Sequence, residues 1–168
     1  MAEPAECPSV GPRVGPRVVV GAALLDGDRL LAARRSAPAH LAGRWELPGG
    51  KVEPGESDEA ALVRECHEEL GVQVELGQRV GGDFPLGPGL VLRVWTARAT
   101  AGEPRPLQDH DELRWLPAEE WWAVDWLPGD VPAVAAVAEA LGPLRPAAPE
   151  PAGEAAEDAA EGEGPPRV

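Results

Sequence analysis

The chain has 168 residues, which is enough for one hydrophobic core and too little for two sizeable domains. Its formal net charge of −14 argues against a nucleic-acid partner, because phosphates require a basic surface. A small phosphorylated molecule can still bind when divalent cations bridge the two negative partners. Cys7 and Cys66 do not make a disulfide framework, and no signal segment or membrane-spanning apolar run is visible. We therefore expect a cytoplasmic protein without a membrane partner.

Both ends of the chain have compositions that are typical of disorder. Residues 1–16 contain Pro at every fourth position from Pro4 to Pro16, with almost no apolar run. Residues 145–168 are acidic and rich in Pro, Ala and Gly. Neither segment can bury enough apolar surface to offset the entropy of ordering. We predict disordered tails at 1–16 and 145–168 around one folded domain at 17–144.

The first predicted elements are strands. Residues 18–25 form a buried apolar run, and a turn at 26–28 follows it. Residues 30–34 then return as the second strand of a hairpin. Residues 45–50, which contain Pro48 and two glycines, are expected to form a loop.

A helix follows, with clear signals at both ends. Ser57 is the predicted N-cap, Leu70 the last helical residue, and Gly71 the left-handed residue that ends it. The remaining elements are three strands and a terminal helix, predicted over residues 72–84, 90–100, 113–116 and 131–141. Strands on both sides of one central helix, followed by a terminal helix, indicate an α/β sandwich.

The central helix has two different faces. Its apolar stripe, which can face a sheet, consists of Leu62, Cys66 and Leu70. Glu65, Glu68 and Glu69 lie at i, i+3 and i+4, so their carboxylates share the opposite side. Like charges at this spacing destabilise a free helix, and a bound cation would reverse that effect. Oxygen ligands suit Mg²⁺ or Mn²⁺, although three glutamates on a helix can also be a solvated acidic face.

The spacing around these glutamates decides between the two interpretations. Gly50 is followed by five residues, Glu56, seven residues and then Arg64-Glu-Cys-His-Glu-Glu-Leu-Gly-Val72. This pattern resembles the Nudix box at every fixed position, and the resemblance to the Nudix hydrolase family extends over residues 18–141. It implies an α/β/α sandwich with a mixed β-sheet, a catalytic helix after the Nudix loop, and a C-terminal helix.

The resemblance also implies a metal site on the helix. Glu68 and Glu69 are expected to be the main metal-binding carboxylates, helped by the backbone carbonyl of Gly49. Glu65 is expected to be a further ligand or the group that activates water. The implied cofactor is Mg²⁺, with Mn²⁺ as an alternative.

Other acidic and basic residues complete the implied site. Glu56 and Arg64 correspond to a pair that braces the loop against the helix. Asp109 falls where the MutT-like branch of the family has a loop acid that reaches the metals. Asp111 or Glu112 could fill this role instead.

The regions flanking the box indicate the substrate class. The segments 34–50, 108–116 and 125–132 resemble the MutT-like branch, which hydrolyses nucleoside triphosphates to monophosphate and pyrophosphate. Arg35 and His40 fall where this branch places groups near the nucleotide, although a surface position after a strand is an alternative for Arg35.

Two further residues have two possible roles each, and a third has one. Lys51 could meet a phosphate or remain solvated, and Phe84 could stack on a base or pack in the core. His110 is expected to be a loop residue and not a metal ligand, since the site prefers oxygen.

Asp130 indicates the preferred base. The resemblance places an asparagine here in relatives that hydrolyse 8-oxo-dGTP. An ionised carboxylate only accepts hydrogen bonds, so Asp130 favours an exocyclic amine such as N4 of cytosine. The predicted substrates are therefore (d)CTP or 5-methyl-dCTP, in nucleotide pool sanitation or balance. Protonation of Asp130 would weaken this argument, and capping of the last helix is an alternative role.

Three alternatives remain open at this point. The protein could be an 8-oxo-dGTP diphosphatase of the MutT type, or it could hydrolyse ADP-ribose or a dinucleoside polyphosphate. A third possibility is a nucleotide-binding module without activity, although such modules typically lose box acids that are all present here. The sequence does not decide between a monomer and a homodimer.

Overall fold

The structure, a computed structural model, describes residues 15–142. The predicted disorder of the two tails falls outside these residues, apart from residues 15 and 16. The elements are β1 (Arg17–Asp26), β2 (Arg29–Arg35), β3 (Trp45–Glu46), β4 (Gly49–Lys51), α1 (Asp58–Leu70), β5 (Gln73–Gly87), β6 (Leu90–Ala101), β7 (His110–Leu116), a 3₁₀ turn (Ala118–Glu120) and α2 (Val131–Leu141). None of the helices in the described part of the chain is long and apolar enough to cross a membrane.

The strands form a mixed sheet with β1 at its centre. β1 pairs in parallel with β6 along its length and antiparallel with β4, and β6 pairs antiparallel with β5. The predicted hairpin is present, but β1 and β2 pair only at Leu25–Leu30 and Asp26–Arg29. β2 then continues between β3 and β7.

Alternate residues of β1 face the two helical layers. Val20, Ala22 and Leu24 are fully buried with residues of α1, whereas Ala23 is buried with residues of α2. Because a strand turns successive side chains to opposite faces, β1 needs an unbroken apolar run to fill both cores. The predicted α/β/α sandwich with a mixed sheet is confirmed.

Helix α1 begins and ends where the sequence predicts. The hydroxyl of Ser57 accepts a hydrogen bond from the N–H of Ala60 at 3.1 Å, and Gly71 has φ of 71°. The predicted apolar stripe is buried against the sheet. Burial raises the pKa of the Cys66 thiol to about 12, which keeps it an unreactive core residue.

Two local predictions were wrong. Residues 45–50 were expected to form a loop, but they contain β3, which pairs with β2, and β4, which pairs with β1. His110 was expected in a loop, but it is the buried first residue of β7 and pairs with Arg35. In both cases the partner strand is distant in sequence, so local composition carries no signal for the pairing.

Candidate active site

Strand β4 lies so close to β1 and to α1 that side chains at its two glycines would meet neighbouring atoms. A Cβ atom on Gly49 would overlap the backbone carbonyl oxygen of Val20, so glycine is required there. One on Gly50 would overlap the carboxyl group of Glu65, the end of a flexible side chain that could move aside. The backbone of Gly50 thus lies directly against the acidic face of α1, and the loop that follows β4 leads into that helix.

Arg64 connects this loop to the helix. Its Nε and Nη2 donate to the two carboxylate oxygens of Glu56 at 2.7 and 3.0 Å, a bidentate ion pair. Nη2 also donates to the carbonyl of Lys51 at 3.1 Å. Nη1 donates to Glu65 at 2.9 Å and Glu68 at 3.2 Å. The Arg64 hydrogen bond holds the pKa of Glu56 down at about 2, so this carboxylate is ionised at neutral pH.

The three glutamates predicted to bind metal lie on one side of α1, where Glu65 and Glu69 are half-buried and Glu68 is exposed. Glu69 accepts a hydrogen bond from the N–H of Gly49 at 3.0 Å. Burial, with smaller contributions from the charges of Glu46 and Glu65, raises the pKa of Glu69 to about 7, although the charge of His110 and the Gly49 hydrogen bond oppose this shift. Burial also raises the pKa of Glu65, with a contribution from the charge of Glu68. Neighbouring carboxylates that resist ionisation are an arrangement that a cation would stabilise.

These residues fit a hard divalent cation. The donors are carboxylate oxygens and the Gly49 and Gly50 backbone, with no sulfur or imidazole ligand required. Within residues 15–142, however, no three acidic, His or Cys side chains are already gathered as a ligand set. The carboxylates of Glu65 and Glu68 instead hydrogen bond to Arg64. Either carboxylate would have to turn from Arg64 to bind a metal, whereas Glu65 could keep this hydrogen bond if it acts on water instead.

A pocket of about 470 Å³ opens beside the same loop. It lies between the loop and the segment that leads into α2, and it shares Gly49 and Gly50 with the acidic site. Its polar and charged lining comes from three separate elements and the start of α2: Arg35, Glu46, Lys51 and Asp130. The apolar lining includes Leu86, Leu92 and Leu127. An apolar pocket with a few convergent charges next to an acidic helix face suits a nucleotide whose phosphates point to α1.

Asp130 is buried in this pocket, with 7% of its surface exposed. Its Oδ1 accepts a hydrogen bond from the N–H of Leu47 at 3.0 Å. Although it occupies the N-cap position of α2, its side chain makes no capping hydrogen bond, which excludes the capping role. Burial raises the pKa of Asp130 to about 7; the Leu47 hydrogen bond opposes this shift and the charge of Glu46 adds to it.

Sequence reasoning missed two residues of this region, Glu46 and His110. Glu46 Oε1 accepts from Arg35 Nη1 at 2.8 Å and lies 2.9 Å from His110 Nε2. In residues 45–50 the two glycines were the recognised signal. Glu46, the one charged residue of that segment, lines the pocket. Nothing in the local sequence indicates that His110 lies beside it.

The structure does not bring every predicted residue into the site. Lys51 does line the pocket, where its side chain is exposed, but His40 lies exposed in the turn after β2. The side chain of Asp109 is exposed, and its carbonyl accepts from Ser36 at 2.7 Å. Phe84 packs against the α2 side of the core.

The two alternative loop acids pair with an arginine outside the acidic face of α1. Asp111 and Glu112 both form ion pairs with Arg34, at 2.8 and 2.9 Å. The Arg34 hydrogen bond lowers the pKa of Asp111. Neither acid is free to reach α1 without giving up this pair.

Comparisons with known proteins agree with this geometry. The Nudix domain family model matches residues 15–137. A Mycobacterium tuberculosis protein provisionally named 8-oxo-dGTP diphosphatase 2 is 45% identical over 128 residues, covering 74% of this chain and 90% of that protein. The CTP pyrophosphohydrolase of Escherichia coli is 37% identical over 135 residues, covering 79% and 96%. The solution structure of the E. coli ORF135 protein matches with a TM-score of 0.64 and 34% identity, covering 80% of this chain and 96% of that one.

The fold and the acidic helix define a hydrolase of nucleotide phosphoanhydrides. The chain belongs to the Nudix family, and its resemblance to the MutT-like branch is confirmed. Nudix hydrolases generally use a divalent metal, and the relatives named above act on small nucleotides.

Proposed function

We propose that this chain is a Mg²⁺-dependent nucleoside triphosphate pyrophosphohydrolase that prefers (d)CTP or 5-methyl-dCTP. The observation that carries the proposal is the placement of Asp130 in a pocket that continues into the acidic face of α1. A base bound near Asp130 would direct its phosphates towards Gly49, Gly50 and the helix. The E. coli relative named CTP pyrophosphohydrolase supports the same assignment.

In the proposed reaction, water attacks a phosphorus of the triphosphate chain, and the nucleotide leaves as a monophosphate with release of pyrophosphate. Glu68, Glu69 and the Gly49 carbonyl would hold Mg²⁺, which when bound would supply positive charge beside the phosphate oxygens and lower the pKa of water. Arg64 donates a hydrogen bond to Oε1 of Glu65. The other oxygen, Oε2, would accept the proton of the attacking water. Lys51 lines the same pocket, which supports a role for it in meeting a phosphate.

The base preference follows from hydrogen-bonding capacity. Asp130 Oδ1 is occupied by Leu47, and its other oxygen has no donor among residues 15–142. When ionised, that oxygen can only accept, which suits the exocyclic N4 amine of cytosine. A carbonyl at the same place would face a repelling carboxylate.

A second candidate substrate is 8-oxo-dGTP. The pKa of Asp130 is raised to about 7, so a neutral carboxyl that can donate is available near neutral pH. The M. tuberculosis relative, which is 45% identical over 128 residues, carries that substrate in its provisional name. A protonated Asp130 could hydrogen bond to the oxidised guanine edge.

A substrate panel separates the two candidates. Pyrophosphate release would be measured with Mg²⁺ for dCTP, CTP, 5-methyl-dCTP, 8-oxo-dGTP, dGTP and ADP-ribose. A higher kcat/KM for the cytosine nucleotides supports the proposal, and a lead for 8-oxo-dGTP replaces it with the second candidate. A higher kcat/KM for ADP-ribose than for the nucleoside triphosphates, or nucleotide binding without turnover, would contradict both candidate substrates. The variant Asp130→Asn should shift the ratio of cytosine to 8-oxoguanine activity, and an unchanged ratio would remove Asp130 as a base reader.

A further inference from the structure

His110 is a buried histidine that touches the pocket only through Glu46. Its side chain has no exposed surface, and its Nε2 lies 2.9 Å from Glu46 Oε1. Its Nδ1 is buried and has no hydrogen-bond partner within residues 15–142. An apolar side chain would fill this space without leaving a polar nitrogen unpaired. The one hydrogen bond of the imidazole within these residues is to the carboxylate of Glu46, and the charge of Glu69 also lies close enough to raise the pKa of His110.

Two donors converge on the same oxygen of Glu46. Arg35 Nη1 donates to Oε1 at 2.8 Å, and His110 Nε2 contacts the same atom at 2.9 Å. Arg35 and His110 are register partners in the β2–β7 pair, so the sheet itself fixes their separation. Two donors held by a sheet restrict the carboxylate to one orientation, which leaves Oε2 without a donor in the described part of the chain.

This orientation matters because Glu46 lines the pocket with Asp130. Asp130 is bound to the N–H of Leu47, the residue that directly follows Glu46. Glu46 and the residue that binds Asp130 are therefore neighbours in the chain, which holds the two carboxylates close together. Each carboxylate keeps one oxygen without a donor among the described residues. Together they form a pair of acceptors at the pocket wall.

We propose that His110 is a positioning residue for base recognition, which together with Arg35 holds Glu46 so that its free oxygen accepts a hydrogen bond from the bound base. This proposal rests on the assignment of the pocket to a nucleotide base under the proposed function. His110 acts through Glu46 and need not touch the nucleotide or the phosphates.

The first test compares substitutions that differ only in the contact with Glu46. His110→Leu removes the ring and its donor, whereas His110→Gln keeps an N–H donor at a similar reach. We expect His110→Leu to raise KM for dCTP and Kd for dCMP about tenfold, the usual effect of losing a hydrogen bond to a charged group. His110→Gln should restore most of the affinity. Equal effects of the two variants would overturn the proposal.

A second test uses Glu46→Gln as the background. If His110 acts through Glu46, adding His110→Leu to Glu46→Gln should change Kd for dCMP by a factor near one. A further tenfold rise in that background would show that His110 acts by another route. Arg98→Leu is the matched control, because it breaks the exposed Arg98–Glu75 ion pair on the far edge of the sheet and should leave Kd unchanged.

The folded state of each variant is checked by thermal unfolding. If His110→Leu fails to fold, His110→Asn replaces it, since its shorter amide stays polar but cannot occupy the Nε2 position. A lead for 8-oxo-dGTP in the wild-type panel would contradict the cytosine preference and leave this proposal testable with 8-oxo-dGMP. An unchanged Kd for the preferred monophosphate in the folded variants would overturn the role of His110, whichever base is preferred.

Discussion

Gly50 lies against the carboxyl group of Glu65, and a Cβ atom on Gly50 would stand only 2.6 Å from Glu65 Oε2. The obstacle is the end of a flexible side chain, so Gly50→Ala should move Glu65 without unfolding the domain. We expect kcat to fall by at least about tenfold because the displaced carboxylate no longer receives the proton of water. Steady-state kinetics and thermal unfolding of the variant check this result.

Gly49→Ala provides the contrast. Its Cβ would overlap the backbone carbonyl of Val20, which cannot move without disturbing the β1–β4 pairing. This variant should lose stability as well as activity. A Gly50→Ala protein with wild-type kcat, or one as unstable as Gly49→Ala, would contradict the proposed placement of Glu65.

Glu69 should be the carboxylate whose charge matters most for turnover. Glu69→Gln keeps the side-chain shape and an oxygen for the Gly49 N–H, but it removes the negative charge. We expect kcat to fall about a hundredfold or more at saturating Mg²⁺, because charge stabilisation in the transition state is lost. Stability at pH 8 should not fall, since burial already disfavours the ionised form of this group.

The exposed residue Glu75 supplies the control for Glu69. Glu75→Gln removes a charge of the same type from the sheet edge, where Glu75 pairs with Arg98 and is 66% exposed. Its kcat should equal that of the wild type. Near-normal kcat in Glu69→Gln at saturating Mg²⁺ would refute the assignment of Glu69 as a metal-binding carboxylate.

Local signals predicted some parts of this protein well and could not predict others. Ser57, Gly71 and the apolar stripe between them are short-range features, so the bounds of α1 could be predicted from the sequence. Glu46 and His110 are 64 residues apart and meet only because β2 lies between β3 and β7. No local pattern encodes that pairing. For the same reason the sequence could not predict the hydrogen bond between Asp130 and the N–H of Leu47, which are 83 residues apart.

Arg64 should contribute to turnover through the geometry of its guanidinium as well as through its charge. Its guanidinium contacts three glutamates and the Lys51 carbonyl at once, and the single ammonium of a lysine cannot reproduce this geometry. We expect Arg64→Lys to lower kcat at least about tenfold and to raise the Mg²⁺ concentration that gives half-maximal activity. A Mg²⁺ titration of turnover measures both quantities.

Arg93 offers a matched control for Arg64. It also binds two acids, Asp58 and Asp83, but neither is one of the predicted metal-binding carboxylates. Arg93→Lys should lower the melting temperature slightly and leave the Mg²⁺ dependence unchanged. Equal shifts of the Mg²⁺ dependence in both variants would indicate a general loss of stability instead of a specific role for Arg64.

Asp130 should make the protein less stable as the pH rises. Burial raises the pKa of its carboxyl to about 7 in the folded protein, while an unfolded aspartate titrates near about 3.9. Between these values the folded state holds a proton that the unfolded state releases, so the free energy of unfolding falls with rising pH and levels off above about pH 7. The contribution of this one group is on the order of a few kcal/mol.

Asp130→Asn isolates that contribution, because its amide oxygen can still accept the hydrogen bond from Leu47. Urea unfolding of both proteins at pH 5, 6, 7 and 8 gives the difference in free energy directly. The variant should gain stability relative to the wild type as the pH rises to about 7, and then keep a constant advantage. Parallel curves at all four pH values would mean that Asp130 is already ionised at pH 5. In that case the neutral carboxyl needed for recognition of 8-oxo-dGTP would be absent, and only the acceptor role that favours cytosine would remain.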